Sequence, residues 1–304
     1  MPDSAACLPL PEPLQPGDGV QLVAASSALR EGGPLLAGIT LLERWGLRVN
    51  SDGANLMGRR WGYLAGRDHQ RRGDLEARPA RLHACVRGGW GAARLLEQPL
   101  RQPTGWLLGF SDVTSLLWQR LAVGETGGVH GPLLTTLATE PAWSQERLRA
   151  LLFGEALPPL QGVGWGGGVA SGPLLVANLT VATHLLGTPH LPTLDGAVLI
   201  LEDVGEAPYR IERMLTHWRL CGALQRLAAI GFGSFNGCDE TDQRAQEPAE
   251  HRFSLEQVLR ERTDDLGLAR VAQLPVGHGP INAALPLGVR AVLDGDRGTL
   301  AINP

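Results

Sequence analysis

The 304-residue chain contains no lysine, and all 27 of its basic residues are arginine. That absence removes the Ser–Lys dyad, the Schiff-base lysine and the phosphate-loop lysine from its chemistry. No apolar run approaches the roughly 20 residues of a membrane span, so no membrane partner is expected. The four cysteines, Cys7, Cys85, Cys221 and Cys238, form no C-x-x-C pair. No H-E-x-x-H or other metal-ligand spacing occurs, and neither a metal nor a cofactor is expected. A net charge of -4 speaks against a nucleic-acid surface. The stretch from Met1 to Pro16 is rich in proline and has neither a basic n-region nor a long h-region. It predicts a cytoplasmic protein with no secretory signal and with reduced thiols.

What is present alternates between strand and helix patterns. Val20 to Ala25 predicts a buried strand that ends at Ser26-Ser27. Leu35, Leu36, Ile39, Leu42 and Trp45 repeat at helical spacing, Gly46 closes that helix, and Leu47 to Val49 begins a second strand. The charged stretch Asp68 to His83 reads as a solvated helix and Leu82 to Val86 as the next strand. Arg87-Gly88-Gly89-Trp90-Gly91 follows, then a short helix from Ala92 to Gln98. Trp106 to Leu108 reads as a further strand, broken at Gly109. The helix after it carries Leu116, Leu117 and Leu121 on one face. This order predicts a parallel α/β sheet with helices on both faces, whose sites lie at the carboxyl ends of the strands.

Pro158-Pro159 and the glycines from Gly162 to Gly168 form a composition break. They lack the G-x-G-x-x-G spacing and a following helix, so they read as a linker or hairpin rather than a phosphate loop. The break divides the chain into domains 1–158 and 159–304. In the second half, Val169 to Val176, Ala197 to Leu201 and Ile230 to Phe235 are expected strands. Asn178 to Leu186, Pro208 to Leu220 and Phe253 to Asp265 are expected helices. Short strand candidates end the chain, suggesting a smaller sheet with more non-local pairing than the first.

Three places carry chemistry. Ser111 stands where a strand gives way to a helix, as in a nucleophile elbow, although Val113 departs from G-x-S-x-G. Capping of the helix is the plainer role for it. The apolar strand Ala197 to Leu201 runs into Glu202-Asp203-Val204-Gly205-Glu206, and a carboxylate there is placed to be desolvated and to orient a histidine. It could equally end the strand or cap the next helix. His278 lies between Gly277 and Gly279, where little crowds its ring. The order Ser, acid, His matches hydrolase triads. Cys85 ends an apolar segment and reads as a buried strand residue.

With these motifs on the page the chain resembles the LD-carboxypeptidases of the serine peptidase type, which also include the microcin C immunity peptidases. The resemblance runs from about Gly19 to the C-terminus. It rests on Gly62 to Gly66, Arg87 to Leu96, Gly109 to Thr114, His130-Gly131-Pro132, Leu201 to Arg210 and Gly277-His278-Gly279. It implies a flavodoxin-like amino-terminal domain, a smaller β-rich α/β carboxy-terminal domain, and a homodimer with the site between the domains. Carried over by position, Ser111 is the nucleophile, Glu202 the acid, His278 the base, and the amides of Gly89 and Asp112 the oxyanion hole. The activity implied is removal of the terminal D-Ala from a cytoplasmic murein tetrapeptide in peptidoglycan recycling. A substrate carboxylate then needs an arginine; Arg87 is the first candidate, with Trp90 as an aromatic wall where relatives more often have Tyr. Val176-Ala177 stands where relatives commonly have two glycines. One alternative is an immunity peptidase acting on a peptide–nucleotide antibiotic, with Trp90, Trp143 or Trp165 as a platform for the base. Another is a non-catalytic binding protein.

Overall fold

A computed structural model describes residues 7–50, 56–76, 80–101, 103–240, 248 and 251–303. Its first sheet contains β1 (Gly19–Val23), β2 (Arg48–Val49), β3 (Leu82–Cys85), β4 (Trp106–Gly109) and β5 (Gly128–His130). These run in the order β2-β1-β3-β4-β5, and every pairing among them is parallel. This is the flavodoxin-like order, whose crevice opens where β1 and β3 diverge. β3 and β4 are buried at every residue, because helices cover both faces of a parallel sheet. α1 (Gly33–Arg44), α2 (Asp68–Glu76), α3 (Thr114–Ala122), α4 (Leu134–Leu137) and α5 (Ala142–Leu152) accompany it. The expected charged helix covers Asp68–Glu76, and residues 77–79 lie outside the described ones. Ala93–Glu97 is a 3-10 turn.

The second half adds β6 (Leu160–Gln161), β7 (Val163–Gly164), β8 (Val169–Asn178), β9 (Val198–Val204), β10 (Ala229–Asn236) and β11 (Ala269–Ala272). It continues with β12 (Leu285–Pro286), β13 (Arg290–Asp294) and β14 (Thr299–Asn303). Eight of these form a mixed sheet in the order β6-β14-β13-β8-β9-β10-β11-β7. Its edge strands β6 and β7 are joined by Gly162 alone, so the sheet curls into a barrel-like closure, which removes exposed edges. The glycine-rich stretch is thus the seam of this sheet. The second sheet exceeds the first, contrary to the smaller sheet expected, because it is built on the long strands β8, β9 and β10 of ten, seven and eight residues and is extended at its edges by the short strands β6 and β7. Among the described residues, the helices α6 (Leu179–Leu185), α7 (Pro208–Leu220) and α8 (Leu255–Glu261) pack on it. α8 is shorter than the expected 253–265; Ser254 opens it with a capping box to Gln257.

The two halves interlock. β12 leaves the second half to pair antiparallel with β5, Leu285 opposite His130. Leu107 and Leu108 face opposite sides of the first sheet. Leu108 packs in a core with Leu22 and Val129. Leu107 joins a larger core that also holds Ile200 and Trp218 from the second half. Trp118 of α3 donates its indole N–H to the Val176 carbonyl of β8 at 3.0 Å and meets Trp218 edge-on at 6.2 Å. Among the described residues no helix is long and apolar enough to cross a membrane.

Candidate active site

The site forms at the carboxyl ends of β1, β3, β4 and β9. Phe110 continues β4 in extended backbone, and Ser111 then turns sharply at φ 64° into the 3-10 turn Ser111–Val113 that feeds α3. A non-glycine residue at positive φ costs about 1 kcal/mol or more and persists only where its surroundings impose it. The turn lifts Ser111 Oγ out of the sheet to within 3.0 Å of His278 Nε2. On the far side of the ring, His278 Nδ1–H donates to Glu202 Oε2 at 2.6 Å. Ser111, His278 and Glu202 therefore form one hydrogen-bonded line, 167 and 76 residues apart in sequence.

Glu202 is fully buried near the end of β9. Oε2 also accepts the main-chain N–H of His278 at 3.0 Å. Gly277 makes this approach possible: it sits at φ 98°, and a Cβ there would collide with the Glu202 side chain. Burial pushes the Glu202 carboxyl above its ordinary range, opposed by its bonds to His278. Burial lowers the His278 imidazole, but the hydrogen bond and charge of Glu202 outweigh it, and His278 titrates above its usual value. Phe110 lies 4.6 Å from the His278 ring and 5.6 Å from the ring of buried His130.

The other acids at the end of β9 are engaged elsewhere. Asp203 accepts from Asn178 Nδ2 at 3.0 Å and from the Thr180 N–H and hydroxyl at 2.9 and 2.8 Å, so it secures the start of α6. Glu206 pairs with Arg210 at 3.3 Å.

Gly88 packs on Ser111; a Cβ there would lie 3.0 Å from Ser111 Cβ. The next residue, Gly89, takes φ 107° and has no room for a side chain against Ser27. Ser27, at the end of β1, fixes this loop: its N–H donates to the Gly88 carbonyl at 3.2 Å, and its hydroxyl accepts the Trp90 N–H at 3.1 Å. Neither the Gly89 nor the Asp112 amide donates to a protein acceptor among the described residues. The Asp112 side chain is buried and accepts the Ala92 N–H at 2.8 Å. Burial raises its pKa, against the Ser26 hydroxyl and the Ala92 and Gly91 amides.

Arg87 turns its guanidinium to the Ala28 carbonyl. Burial, and then the positive neighbours Arg30 and Arg60, hold it below the usual arginine range. Trp90 is 43% exposed on the rim. Trp165 instead packs on Phe232 under Arg260, and Trp143 lines a separate cavity with Arg147 and Pro159. Burial drives the Cys85 thiol far up, which keeps it inert. Among the described residues no group of three or more potential ligands could hold a metal. Sequence reasoning missed Ser27 as a loop anchor; its place at the carboxyl end of β1 was the available signal.

A hydroxyl, an imidazole and a buried carboxylate in line, beside free main-chain amides at the crevice of a parallel sheet, form the arrangement of a serine-type hydrolase. The LD-carboxypeptidase N-terminal domain model matches residues 20–131, and the LD-carboxypeptidase C-terminal domain model matches residues 171–293. A Synechocystis sp. protein named "Putative carboxypeptidase" is 47% identical, with 96% of each chain covered. The murein tetrapeptide carboxypeptidase of Pseudomonas aeruginosa is 34% identical over 93% of this chain and 95% of its own. Two solved structures share the fold. The muramoyltetrapeptide carboxypeptidase from Oxalobacter formigenes has TM-score 0.80 at 23% identity, covering 93% and 97% of the two chains. The microcin C7 self immunity protein in complex with aspartyl sulfamoyl adenosine has TM-score 0.84 at 20% identity, covering 98% and 99%. The chain belongs to the LD-carboxypeptidase family and is a carboxypeptidase, a hydrolase.

Proposed function

We propose that this protein is a cytoplasmic, homodimeric serine peptidase that removes the terminal D-Ala from murein tetrapeptides during peptidoglycan recycling. The observation that carries the reading is the line Ser111–His278–Glu202 beside the Gly89 and Asp112 amides. Ser111 Oγ attacks the peptide carbonyl while its proton passes to His278 Nε2. Glu202 keeps the imidazole proton on Nδ1 and stabilises the imidazolium. The two amides receive the oxyanion, each worth roughly 3 kcal/mol of barrier. His278 then protonates the leaving D-Ala amine, and water releases the acyl group from Ser111 by the reverse proton path.

Recognition of a carboxypeptidase substrate also requires a receptor for its free carboxylate. Arg87 fits that part: it adjoins the oxyanion loop, has Arg30 and Arg60 beside it, and has no salt bridge among the described residues. Trp90 supplies an apolar wall on the same loop. The name and 34% identity of the Pseudomonas aeruginosa relative support a murein tetrapeptide as substrate. The test is purified protein with tetrapeptide and, separately, with an aminoacyl-sulfamoyl adenosine. Release of D-Ala with the sulfamoyl adenosine intact supports the murein reading. The opposite pattern transfers the protein to antibiotic immunity, and no cleavage of either by a folded protein would leave it a binding protein.

A further inference from the structure

His278 belongs to the second half of the sequence, yet its loop is fastened to α5 of the first and to the turn before it. Glu140, just before α5, accepts the Asn282 main-chain N–H on Oε2 at 2.9 Å. The Ser144 hydroxyl of α5 lies 2.9 Å from that same oxygen and 3.2 Å from the Asn282 carbonyl. Arg147, one turn on, donates to the Ala284 carbonyl at 3.0 Å. Asn282 is 1% exposed. Its Oδ1 accepts the Gly277 N–H at 2.9 Å, the amide immediately before His278. The loop is also closed at its base, where the Ala283 N–H donates to the Pro275 carbonyl at 2.8 Å.

We propose that Asn282, clamped by Glu140 and Ser144, is a positioning residue that sets His278 between Ser111 and Glu202. The proposal deepens the serine-peptidase reading and rests on it. Glu202 holds His278 from the second sheet, through the ring and the main-chain N–H. Asn282, itself clamped by Glu140 and Ser144 of the first half, holds the Gly277 N–H, so the imidazole is fixed from both sides of the cleft. The role needs an acceptor: the Gly277 N–H is buried, and an acceptor lost there leaves an orphan donor. Asn282 Nδ2 in turn has no partner among the described residues, which is a cost accepted for placing Oδ1 on Gly277. Loss of the clamp lets the loop relax, and the 3.0 Å approach of Nε2 to Ser111 Oγ opens. A displacement of about 1 Å at such a point costs on the order of 100-fold in rate.

The experiment compares Asn282→Ala, Glu140→Ala and Glu140→Gln with the parent, and uses Ser111→Ala as the catalytic control. Turnover is read as kcat and KM separately. The downfield proton NMR resonance of the His278 Nδ1–H is read without substrate. We expect kcat to fall about 10- to 100-fold in both alanine variants with KM changed less than about threefold. We expect the Nδ1–H resonance to weaken or move upfield, and Glu140→Gln, which keeps an acceptor oxygen, to restore both. Folded alanine variants with parental kcat and resonance would overturn the proposal. So would a fall in thermal stability with the resonance unchanged, which marks a merely structural role. Should Asn282→Ala fail to fold, the half-buried Glu140 pair decides the same question. Parental turnover by Ser111→Ala would remove the serine reading, while the resonance would still report on Asn282.

Discussion

Glu202 holds His278 twice through a single oxygen: Oε2 accepts the ring Nδ1–H at 2.6 Å and the main-chain N–H at 3.0 Å. Both donors belong to the same residue, so the carboxylate fixes the tautomer and the position of the loop together. An amide oxygen in its place can still accept, but it carries no charge to set against the imidazolium. Glu202→Gln is expected to keep the fold and KM and to lower kcat by about 1,000-fold or more. Combined with His278→Ala it should add little to the loss from His278→Ala alone, because the groups act as a unit. Steady-state kinetics of the two single variants and the double variant check this. Near-additive losses would separate Glu202 from the histidine.

The pH profile follows from the same contact. Turnover needs neutral His278, and Glu202 raises the imidazole above its ordinary value of about 6.5. The acid limb of kcat/KM is therefore expected to climb with pH through an apparent pKa above about 6.5. In Glu202→Gln the charge of Glu202 is gone while burial remains, opposed only by the smaller influence of Asp203, so the limb should move to lower pH. A profile unchanged by that substitution would assign the limb to another group.

Arg87 makes a separate prediction about binding. If its guanidinium takes the substrate carboxylate, Arg87→Gln should raise KM about tenfold or more, the worth of a charged hydrogen bond, with a smaller change in kcat. Arg87→Lys should recover only part of it, because an ammonium lacks the planar fork. Equal losses for a substrate amidated at its C-terminus would dissociate Arg87 from the carboxylate.

Much of this site was legible in the sequence because buried parallel strands read as apolar runs. Trp106 to Leu108 and Ala197 to Leu201 placed Ser111 and Glu202 at strand ends without any structure. β5 and β12 were not legible: Gly128–His130 and Leu285–Pro286 are too short, and too rich in glycine and proline, for a periodic signal. The seam at Gly162 depends on pairing between strands far apart in sequence, which no local pattern reports. The mounting of His278 was hidden for the same reason, since Glu140 and Asn282 are 142 residues apart. The Asp112 carboxylate reads as a helix-start residue, yet it ties the nucleophile turn to Ala92.

His130 provides a stability prediction of definite sign. Its ring is fully buried with neither nitrogen partnered among the described residues. Burial, with a smaller part from His278, lowers its pKa to about 3. The unfolded imidazole titrates near 6.5, so the unfolded chain binds the proton first and stability falls as pH drops below about 6.5. Between pH 8 and pH 5 this group alone contributes a loss on the order of 2 kcal/mol. His130→Leu removes the ionisable ring and should flatten the pH dependence of the urea midpoint over that range. A slope equal to the parent's would show that other groups govern it.

Ser111 allows strain and chemistry to be separated. Its φ of 64° is imposed by the turn from β4 into α3, and the hydroxyl does nothing to relieve it. Ser111→Ala keeps a Cβ in the left-handed region, so it should abolish turnover and leave the melting temperature close to the parent's. Ser111→Gly should abolish turnover equally, yet the left-handed region costs glycine nothing. The relief of about 1 kcal/mol or more is partly offset by the greater freedom of glycine in the unfolded chain, roughly 0.4–1 kcal/mol. Ser111→Gly should therefore be no less stable than Ser111→Ala and should exceed it by up to about 1 kcal/mol. That ordering is unusual, because glycine normally destabilises relative to alanine. Denaturant midpoints of the two variants measure the difference directly. A glycine variant clearly less stable than the alanine variant would mean that the turn is not strained at Ser111.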